Sequence, residues 1–385
     1  MSVSARRSRT RDALLAVLAE HGTVSRADLS RLSGLSRSAV SSAVAELLAD
    51  GQVTEDPAQA APGAGRGRRP TGVSLRRGAG VVLALDLGHA HISAAVATTA
   101  GVIIAEEGAA LDVDNRPQEA LDAVVVLADR ALERSGHRRS DLAGVAAGVP
   151  AVLDPRTGVV RAPTKLSRWL GMNPGEALAR ALGRPVEIGN DAELGARGER
   201  AYGAARGIDD LIYVKASHGI GAGLVLGGRV YVGATGASGE IGHIQLPGAA
   251  NLCRCGNRGC LETVVSIGDV RRQLLHVLLV RNEEDLPPLA ELSTEPAAAR
   301  VITETGRTLG RVLADLVNVL NPAAIVIGGE LGLAGAPLVA GVRESVDRYA
   351  QPVSVGAVDV RASALGLKAE LYGAITAAAE QARRA

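Results

Sequence analysis

The feature of this sequence that most constrains its fold is a change of pattern near residue 78. Before that point, apolar side chains recur at spacings of three and four residues, which is typical of short amphipathic helices. After it, short apolar runs separated by Gly and His give a strand, turn, strand pattern, which begins again near Leu211. A chain of 385 residues exceeds what one core usually fills. The sequence therefore predicts a small helical domain, residues 1–77, in front of an α/β body, residues 78–385.

The body is predicted to contain two α/β lobes that face a cleft. The predicted strands are 81–87, 92–98, 102–107, 211–216, 221–226 and 324–328, and the predicted helices are 117–134 and 300–319. We assign residues 78–190 and the C-terminal helix to the first lobe, and residues 191–365 to the second.

Three helices are predicted in the N-terminal domain, the first over residues 10–21. Ser25, with Asp28 three residues later, forms a capping box that begins the second helix, which ends at Gly34. Ser36 caps the third helix after a tight turn. Three short helices with a tight turn before the last one resemble a helix-turn-helix, in which the third helix reads DNA.

The outer surface of this third helix carries small hydroxyls and a guanidinium, which suit base edges and phosphates in a major groove. The candidates for DNA contact are Ser36, Arg37, Ser38, Ser41 and Ser42. A small helical bundle with a Ser-rich solvated face is the alternative. Charge favours DNA binding: residues 1–77 hold 12 Arg and 7 acidic residues, a net +5, whereas residues 78–385 hold 30 basic and 34 acidic residues, a net −4.

Residues 52–55 and 72–75 are predicted to pair as the strands of a wing, which makes this domain a winged helix-turn-helix. The segment between them is rich in Pro, Gly and Ala and carries Arg66, Arg68 and Arg69. Arg side chains on a flexible arm can enter a narrow A·T minor groove, where the potential is most negative. A plain soluble linker explains the same run equally well, and both interpretations stay open.

All three cysteines of the chain lie within eight residues of one another. An odd number of closely spaced thiols fits a metal site better than a disulfide framework. With His243, the thiolates of Cys253, Cys255 and Cys260 supply a complete tetrahedral ligand set for a structural Zn²⁺, which leaves no open position for water. Three free thiols in a Gly/Arg-rich loop are the alternative.

Five motifs of the body resemble those of the ROK family (repressors, open reading frames and kinases). They are Asp86-Leu-Gly88, Gly189-Asn190-Asp191, Gly219-Ile-Gly221-Ala-Gly223, Gly239-Glu240-Ile-Gly-His243 and Cys253-Arg-Cys255-Gly-Asn-Arg-Gly-Cys260-Leu-Glu262. The resemblance covers essentially the whole chain and implies a two-lobed α/β fold of the actin-like, sugar-kinase (ribonuclease H-like) type. A helix-turn-helix in front of this body is similar to the family's xylose, glucose and N-acetylglucosamine repressors.

The resemblance also implies a sugar pocket. Each sugar hydroxyl can donate and accept, so such a pocket needs carboxylates and amides at fixed angles. The residues that match the family's sugar-contacting positions are Thr164, Asn190, Asp191, Glu240, His243 and Glu262. Asp191 also matches the kinase base, which accepts the proton of the attacked hydroxyl. Without the family, Asn-Asp after an apolar strand is more often a helix cap or turn.

The two Gly-rich turns that hold ATP phosphates in this fold both depart from the kinase pattern. His89 and His91 stand in the first turn, where the kinases carry Gly and Thr, and His218 replaces Thr in the second. Because these residues lack the Thr hydroxyl and add bulk, we expect no catalytic residues and no kinase activity. Asp86, Asp191 and Gly328-Gly329 persist, which leaves residual ATP binding and kinase activity open.

These features predict a sugar-responsive transcriptional regulator of carbohydrate genes, in the first instance a repressor, in which sugar closes the lobes and alters operator affinity. The expected partners are a double-stranded DNA operator, a sugar effector and further copies of the chain, as a homodimer or higher assembly. An ATP-dependent, glucokinase-like kinase is the alternative, and a DNA tether that senses no sugar is a third. No signal peptide or run of about 18 apolar residues occurs, so we expect a cytoplasmic protein with no membrane partner.

Overall fold

The computed structural model describes residues 10–11, 13–15, 17–18, 21–49, 53–56, 72–75, 80–161 and 167–384. Four residues predicted to bind DNA or sugar lie outside these ranges: Arg66, Arg68, Arg69 and Thr164. Across the described ranges, none of the helices combines the length and the apolar character needed to cross a lipid bilayer.

The N-terminal head, meaning the described residues from 10 to 75, forms where its caps predict. The helix within residues 10–21 is left unnumbered. The elements that follow it are β1 (Val24–Ser25), α1 (Arg26–Ser33), α2 (Arg37–Ala49), β2 (Val53–Asp56) and β3 (Gly72–Leu75). Ser25 Oγ accepts a hydrogen bond from the Asp28 amide at 3.1 Å, and Ser36 Oγ accepts one from the Ala39 amide at 3.2 Å. Gly34 ends α1 with φ of 70°. Every described residue from 10 to 21 is helical, and this helix ends at His21.

The head carries a three-stranded sheet of order β1-β3-β2. β2 and β3 pair antiparallel, which confirms the predicted wing and the winged helix-turn-helix fold. β1, which we did not predict, pairs with the other edge of β3. Helices and wing share one apolar core, Leu14, Leu15, Leu18, Leu29, Val40, Ala43, Val44, Leu47, Val53 and Val73. Ala100 and Val102 of the body pack against this core.

The two lobes of the body contain sheets with the same strand arrangement. The first lobe comprises β4 (Val81–Leu87), β5 (His91–Ala97), β6 (Ile103–Ala110), α3 (Pro117–Ser135), β7 (Leu142–Val149), α4 (Pro174–Leu182) and β8 (Glu187–Asn190). Helix α5 (Asp191–Ala201) follows. The second lobe comprises β9 (Leu211–Ala216), β10 (Ile220–Leu226), β11 (Arg229–Val230), α6 (Glu262–Val265), α7 (Ile267–Val277), α8 (Leu289–Leu292), α9 (Pro296–Leu320), β12 (Ala324–Gly328), α10 (Gly329–Gly332), α11 (Ala336–Tyr349), α12 (Pro352–Val355) and β13 (Asp359–Ala362), and α13 (Ala369–Arg384) ends the described chain.

The strand orders are β6-β5-β4-β7-β8 and β11-β10-β9-β12-β13. In each sheet the central strand, β4 or β9, pairs antiparallel with the strand that follows it and parallel with a later strand, β7 or β12. Ligands of open α/β sheets bind at the carboxyl ends of the parallel strands. The repeated arrangement therefore places the carboxyl ends of β4 and β9 at one cleft.

Helices α5 and α13 join the lobes. Leu194 of α5 packs with the first sheet and Ala196 with the second. Likewise, Ala369 of α13 packs with the second sheet, while the following turns of α13 cover the first. The outer faces of the sheets are covered separately, by α3 and α4 in the first lobe and by α7, α9 and α11 in the second.

Most predicted elements agree with the structure, and the differences have local causes. The predicted helix 300–319 begins earlier, at Pro296, because the Glu295 side chain accepts a hydrogen bond from the Ala298 amide at 2.6 Å and so caps it. The strand predicted over 102–107 spans Ile103–Ala110 instead, since its pairing with β5 continues as far as the match of Ala110 with His91.

The buried carboxylate of Glu199, at the end of α5, generates a stability prediction. It is fully buried and accepts hydrogen bonds from the amides of Ala204 at 2.6 Å and Leu365 at 3.1 Å and from the Ser363 hydroxyl. Glu199→Gln turns one acceptor into a donor that faces these donors, so we expect it to lower the free energy of unfolding by about 1.5 to 3 kcal/mol.

Urea unfolding of the full chain, followed by circular dichroism and by the fluorescence of Trp169, measures this change. Trp169 is the only tryptophan and is fully buried in the first lobe. The matched control is Glu380→Gln, which alters a partly exposed ion pair and should change stability by less than about 1 kcal/mol. Equal effects of the two substitutions would contradict the prediction.

Candidate functional site

The cleft between the lobes brings together most of the residues predicted to contact sugar. Five of the six line one cavity: Asn190, Asp191, Glu240, His243 and Glu262. The sixth, Thr164, lies outside the described residues. The cavity also contains His89, Lys215 and the Gly-rich turn 217–221. Carboxylate, amide and imidazole groups therefore converge from both lobes on one concave surface.

Asn190 and Asp191 stand where β8 ends and α5 begins. Asn190 Oδ1 accepts a hydrogen bond from the Ala192 amide at 2.9 Å, and its Nδ2 donates to the Ala151 carbonyl at 3.1 Å. Asp191 Oδ1 accepts from the Ala192 amide at 2.8 Å. The pair is therefore a helix cap and also part of the cleft wall, so the two interpretations that we drew from the sequence are not exclusive.

Glu240 is held by a turn that only glycine permits. Gly239 has φ of +78°, and a Cβ at this position would lie 1.8 Å from the Ala222 carbonyl oxygen. The Ala222 amide also donates a hydrogen bond of 2.8 Å to the Gly239 carbonyl. Burial, with Asp191 and Glu262 nearby, raises the pKa of Glu240 to about 7. A carboxyl of this kind can both donate to and accept from a sugar hydroxyl.

His243 and the three cysteines form a cluster that could hold a metal ion, with all four ligand atoms within 4.8 Å of one another. The distance from Cys253 Sγ to His243 Nδ1 is 3.6 Å, and that from Cys255 Sγ to Cys260 Sγ is 3.7 Å. Ligands about 2.3 Å from a tetrahedral centre lie about 3.8 Å apart, so the cluster fits a four-coordinate ion. Nε2 of His243 faces Glu240 Oε2 at 3.6 Å, which leaves Nδ1 toward the thiols.

The cluster also ties the cleft wall together. Cys260 pairs with Gln245 in an isolated β-bridge, and the Leu261 amide donates to the Ile244 carbonyl at 2.9 Å. Glu262, which follows directly, has Oε1 at 3.2 Å from Cys253 Sγ. Two of the carboxylates that face the cleft are therefore carried by the segments that bear the cluster.

Lys215 is a cleft residue that we did not predict. Its Nζ lies 2.8 Å from Asp191 Oδ2 and 3.5 Å from Glu370 Oε1, and its side chain is only 12% exposed. Burial opposes the charge, but the attraction of Asp191, Glu370 and Asp86 outweighs it and raises the pKa of the ammonium above its usual range. A charged residue in an otherwise apolar strand, 211–216, was the available signal.

Histidine rings occupy the two turns that differ from the kinase pattern. His91 Nε2 bonds Asp86 Oδ2 at 2.9 Å, and this hydrogen bond raises the pKa of His91. The ring covers Gly88 so closely that a Cβ there would lie 2.2 Å from it. His89 and His218, one from each turn, have ring centroids 6.1 Å apart. Imidazole rings therefore stand in both turns, and their effect on ATP binding stays a prediction.

Five of the eight residues predicted to contact DNA belong to the described part of the chain, and they lie together at the start of α2. All five are exposed: Ser36, Arg37, Ser38, Ser41 and Ser42. Val40 and Val44, on the opposite side of α2, are fully buried. An ion pair of 2.6 Å between Arg26 Nε and Glu55 Oε1 links α1 to the wing. Val44 and Leu47 of α2 share an apolar core with Val53 and Val73 of the wing, so the exposed face of α2 has a fixed orientation relative to the wing.

Comparison with known proteins identifies two family matches. The model described as "ROK family" matches residues 82–381, and the model described as "MarR family" matches residues 12–67. These ranges correspond to the body and to the head.

Individual relatives divide by how much of the chain they match. A putative xylose repressor of Caldicellulosiruptor sp. is 29% identical, with 94% of this chain and 93% of that protein covered. The DNA-binding transcriptional repressor Mlc of Escherichia coli is 30% identical, with 92% and 88% covered. The crystal structure of a ROK family glucokinase from Streptomyces griseus, in complex with glucose and AMPPNP, matches with 27% identity and a TM-score of 0.68 over 78% of this chain and all of that one. The repressors therefore match the head as well as the body.

The turn before Glu240 generates the second prediction. Gly239→Ala combines a left-handed backbone with a collision against the Ala222 carbonyl, so the turn must move. Gly248→Ala is the matched control, because Gly248 has φ of +82° but nothing within 4 Å of a Cβ. We expect Gly248→Ala to lower stability by about 1 to 2 kcal/mol and Gly239→Ala by at least about twice as much. Thermal unfolding of the two variants measures the difference, and equal losses would refute it.

Proposed function

Because the chain belongs to the ROK family, we propose that it is a sugar-responsive transcriptional repressor of carbohydrate genes whose effector binds in the cleft. The observation that carries this proposal is a winged helix-turn-helix head on a two-lobed body whose cleft is lined by carboxylate, amide and imidazole side chains. Repressor relatives match both parts, whereas the glucokinase matches the body alone. We take residues 1–77 as the DNA-binding domain and residues 78–385 as the sugar-binding domain, with lobe one at about 78–190 plus the C-terminal helix and lobe two at about 191–365.

We assign the DNA contacts to the exposed side of α2. Arg37 is placed to contact phosphate or guanine, and the four Ser hydroxyls of that side can contact phosphates or bases. Arg66, Arg68 and Arg69, outside the described residues, are proposed to supplement this contact from the minor groove. A homodimer or higher assembly follows from the pairing of half-sites that helix-turn-helix proteins read.

The proposed sugar ligands are Thr164, Asn190, Asp191, Glu240, His243 and Glu262. Their support is the convergence of the five described members on one cavity. Glu240 and Glu262 come from the second lobe, while Asn190 and Asp191 come from the junction with the first, so a bound sugar bridges the lobes. Bridging stabilises a closed arrangement, which is how differential binding shifts a conformational equilibrium.

We propose that the His/Cys cluster holds a structural Zn²⁺. Three soft thiolates and one imidazole are the ligands this ion prefers, and the fourth ligand leaves no position for water. When bound, the ion contributes folding free energy to the segments it connects. His243, through Nε2, then remains directed toward Glu240 and the sugar.

Phosphoryl transfer is not part of the proposed function. The kinases of this family need open Gly-rich turns for the ATP phosphates, and here His89, His91 and His218 occupy them. Asp191, the position of the kinase base, is already paired with Lys215. The enzyme alternative therefore lacks support from the residues that would perform the reaction.

The first test titrates the full chain against a DNA fragment from upstream of its own gene, at fixed salt, without and with D-xylose, D-glucose, D-glucose 6-phosphate or ATP. We expect specific binding that one sugar weakens by about tenfold or more. Arg37→Ala should weaken operator binding by about tenfold or more at every sugar concentration. Glu262→Gln should retain operator binding but lose most of the sugar response.

Arg348→Ala is the control for the loss of a positive charge, because Arg348 lies on the body at the end of α11. Absence of specific DNA binding would refute the regulator, and a sugar that strengthens binding would refute relief of repression. Release of ADP that depends on glucose and rises above the uncatalysed background would instead support the kinase.

The second test concerns the metal. We expect one equivalent of zinc per chain by plasma mass spectrometry, and its loss in Cys255→Ser. Because the ion stabilises the segments that carry Glu240 and Glu262, loss of zinc should also weaken sugar binding by about tenfold or more. Arg258→Ala alters the same loop without removing a ligand and should retain the zinc. Stoichiometric sugar binding by the metal-free chain at unchanged affinity would contradict the structural role.

A further inference from the structure

Lys215 lies in a buried group of opposed charges beneath the proposed sugar site. Two carboxylates, Asp191 and Glu370, form ion pairs with its ammonium, and the negative charge of Asp86, on the central strand of the first sheet, attracts it as well. Only 3 of the 42 basic residues of the chain are lysines, so the use of one here distinguishes the position. A compact ammonium, unlike a planar guanidinium, fits as a point charge among several acceptors.

Asp191 has both oxygens engaged before any sugar binds. Oδ2 accepts from Lys215 at 2.8 Å, and Oδ1 accepts from the Ala192 amide at 2.8 Å. Glu370 is held independently, since Tyr213 donates its hydroxyl to Oε1 at 3.1 Å. Each carboxylate oxygen can accept a second hydrogen bond, so Asp191 can still receive a sugar hydroxyl, but it does not depend on one.

Sites that leave a buried carboxylate or amide unpaired discriminate strongly against a substrate that lacks the matching hydroxyl. Here the Lys215 ammonium pairs with Asp191, so a sugar that lacks the hydroxyl facing Asp191 does not leave this carboxylate unpaired. We propose that Lys215 is a specificity-determining positioning residue, which keeps Asp191 paired and so lets the cleft accept sugars that lack the hydroxyl facing Asp191. This inference rests on the proposed function, because it requires that the cleft binds sugar.

The test compares wild type with the double variant K215M/E370Q, which removes one positive and one negative charge and keeps an acceptor for the Tyr213 hydroxyl. Calorimetric titration uses D-glucose, each of its monodeoxy analogues, and D-xylose. In wild type we expect at least one analogue to bind within about threefold of the parent sugar. In K215M/E370Q the same analogue should bind at least tenfold more weakly than the parent, because Oδ2 of Asp191 then has neither the ammonium nor a sugar hydroxyl as partner.

The matched control is E370Q alone, which leaves the contact of Lys215 with Asp191 in place and should retain the wild-type tolerance. A general loss of stability would weaken all sugars alike, whereas the inference requires a selective effect on one analogue. It is overturned if the relative affinities are the same in wild type and K215M/E370Q.

The wild-type series also tests the inference without any variant. If every monodeoxy analogue binds more than about tenfold worse than D-glucose, no hydroxyl faces an acceptor that is already paired, and the inference fails. If the wild-type chain binds neither D-glucose nor D-xylose and no sugar of the operator titration alters its DNA binding, the proposed function itself is contradicted, and the inference falls with it.

Discussion

The close crossing of α5 and α13 is the constraint on which the rest of the body depends. A Cβ on Gly198 would lie 2.2 Å from the Ala369 carbonyl oxygen, and one on Gly373 would lie 1.8 Å from the Leu194 carbonyl oxygen. Glycine at both positions lets the two backbones approach each other, as close helix packing requires. Because each helix packs against both sheets, their crossing constrains how the lobes can move relative to each other.

The same crossing collects the charges of the cleft. Asp191 begins α5 and Glu370 lies in the first turn of α13, so the helix starts bring two carboxylates to one place. β9 supplies Lys215 from the second sheet, and β4 supplies Asp86 from the first. Buried charges are tolerated only when they are paired. Here Lys215 of the second sheet pairs with carboxylates on the two helices that join the lobes, Asp191 on α5 and Glu370 on α13. The electrostatics of the sugar site and the geometry of the lobes are therefore one arrangement.

The sequence was most informative where chemistry is local. Caps at Ser25 and Ser36, the short apolar runs of the strands and the spacing of the cysteines each depend on a few neighbouring residues, and these predictions agree with the described structure. Contacts between distant segments left no such pattern. The partners of Lys215 come from residues 191 and 370, and only the fold brings them within 4 Å. The short strand β1 was missed because two residues carry no periodicity.

The position of the head gives the proposed mechanism a physical route. Ala100 and Val102, in the turn between β5 and β6, pack against the core of the head. Between them, Gly101 lies so close to Tyr202 that a Cβ would be 2.2 Å from the phenol ring carbon that bears the hydroxyl. Tyr202 follows the last residue of α5, whose first residue, Asp191, lies in the cleft. In the proposed mechanism, lobe closure that tilts α5 therefore displaces the turn on which the head rests, and two heads on an operator change their spacing together.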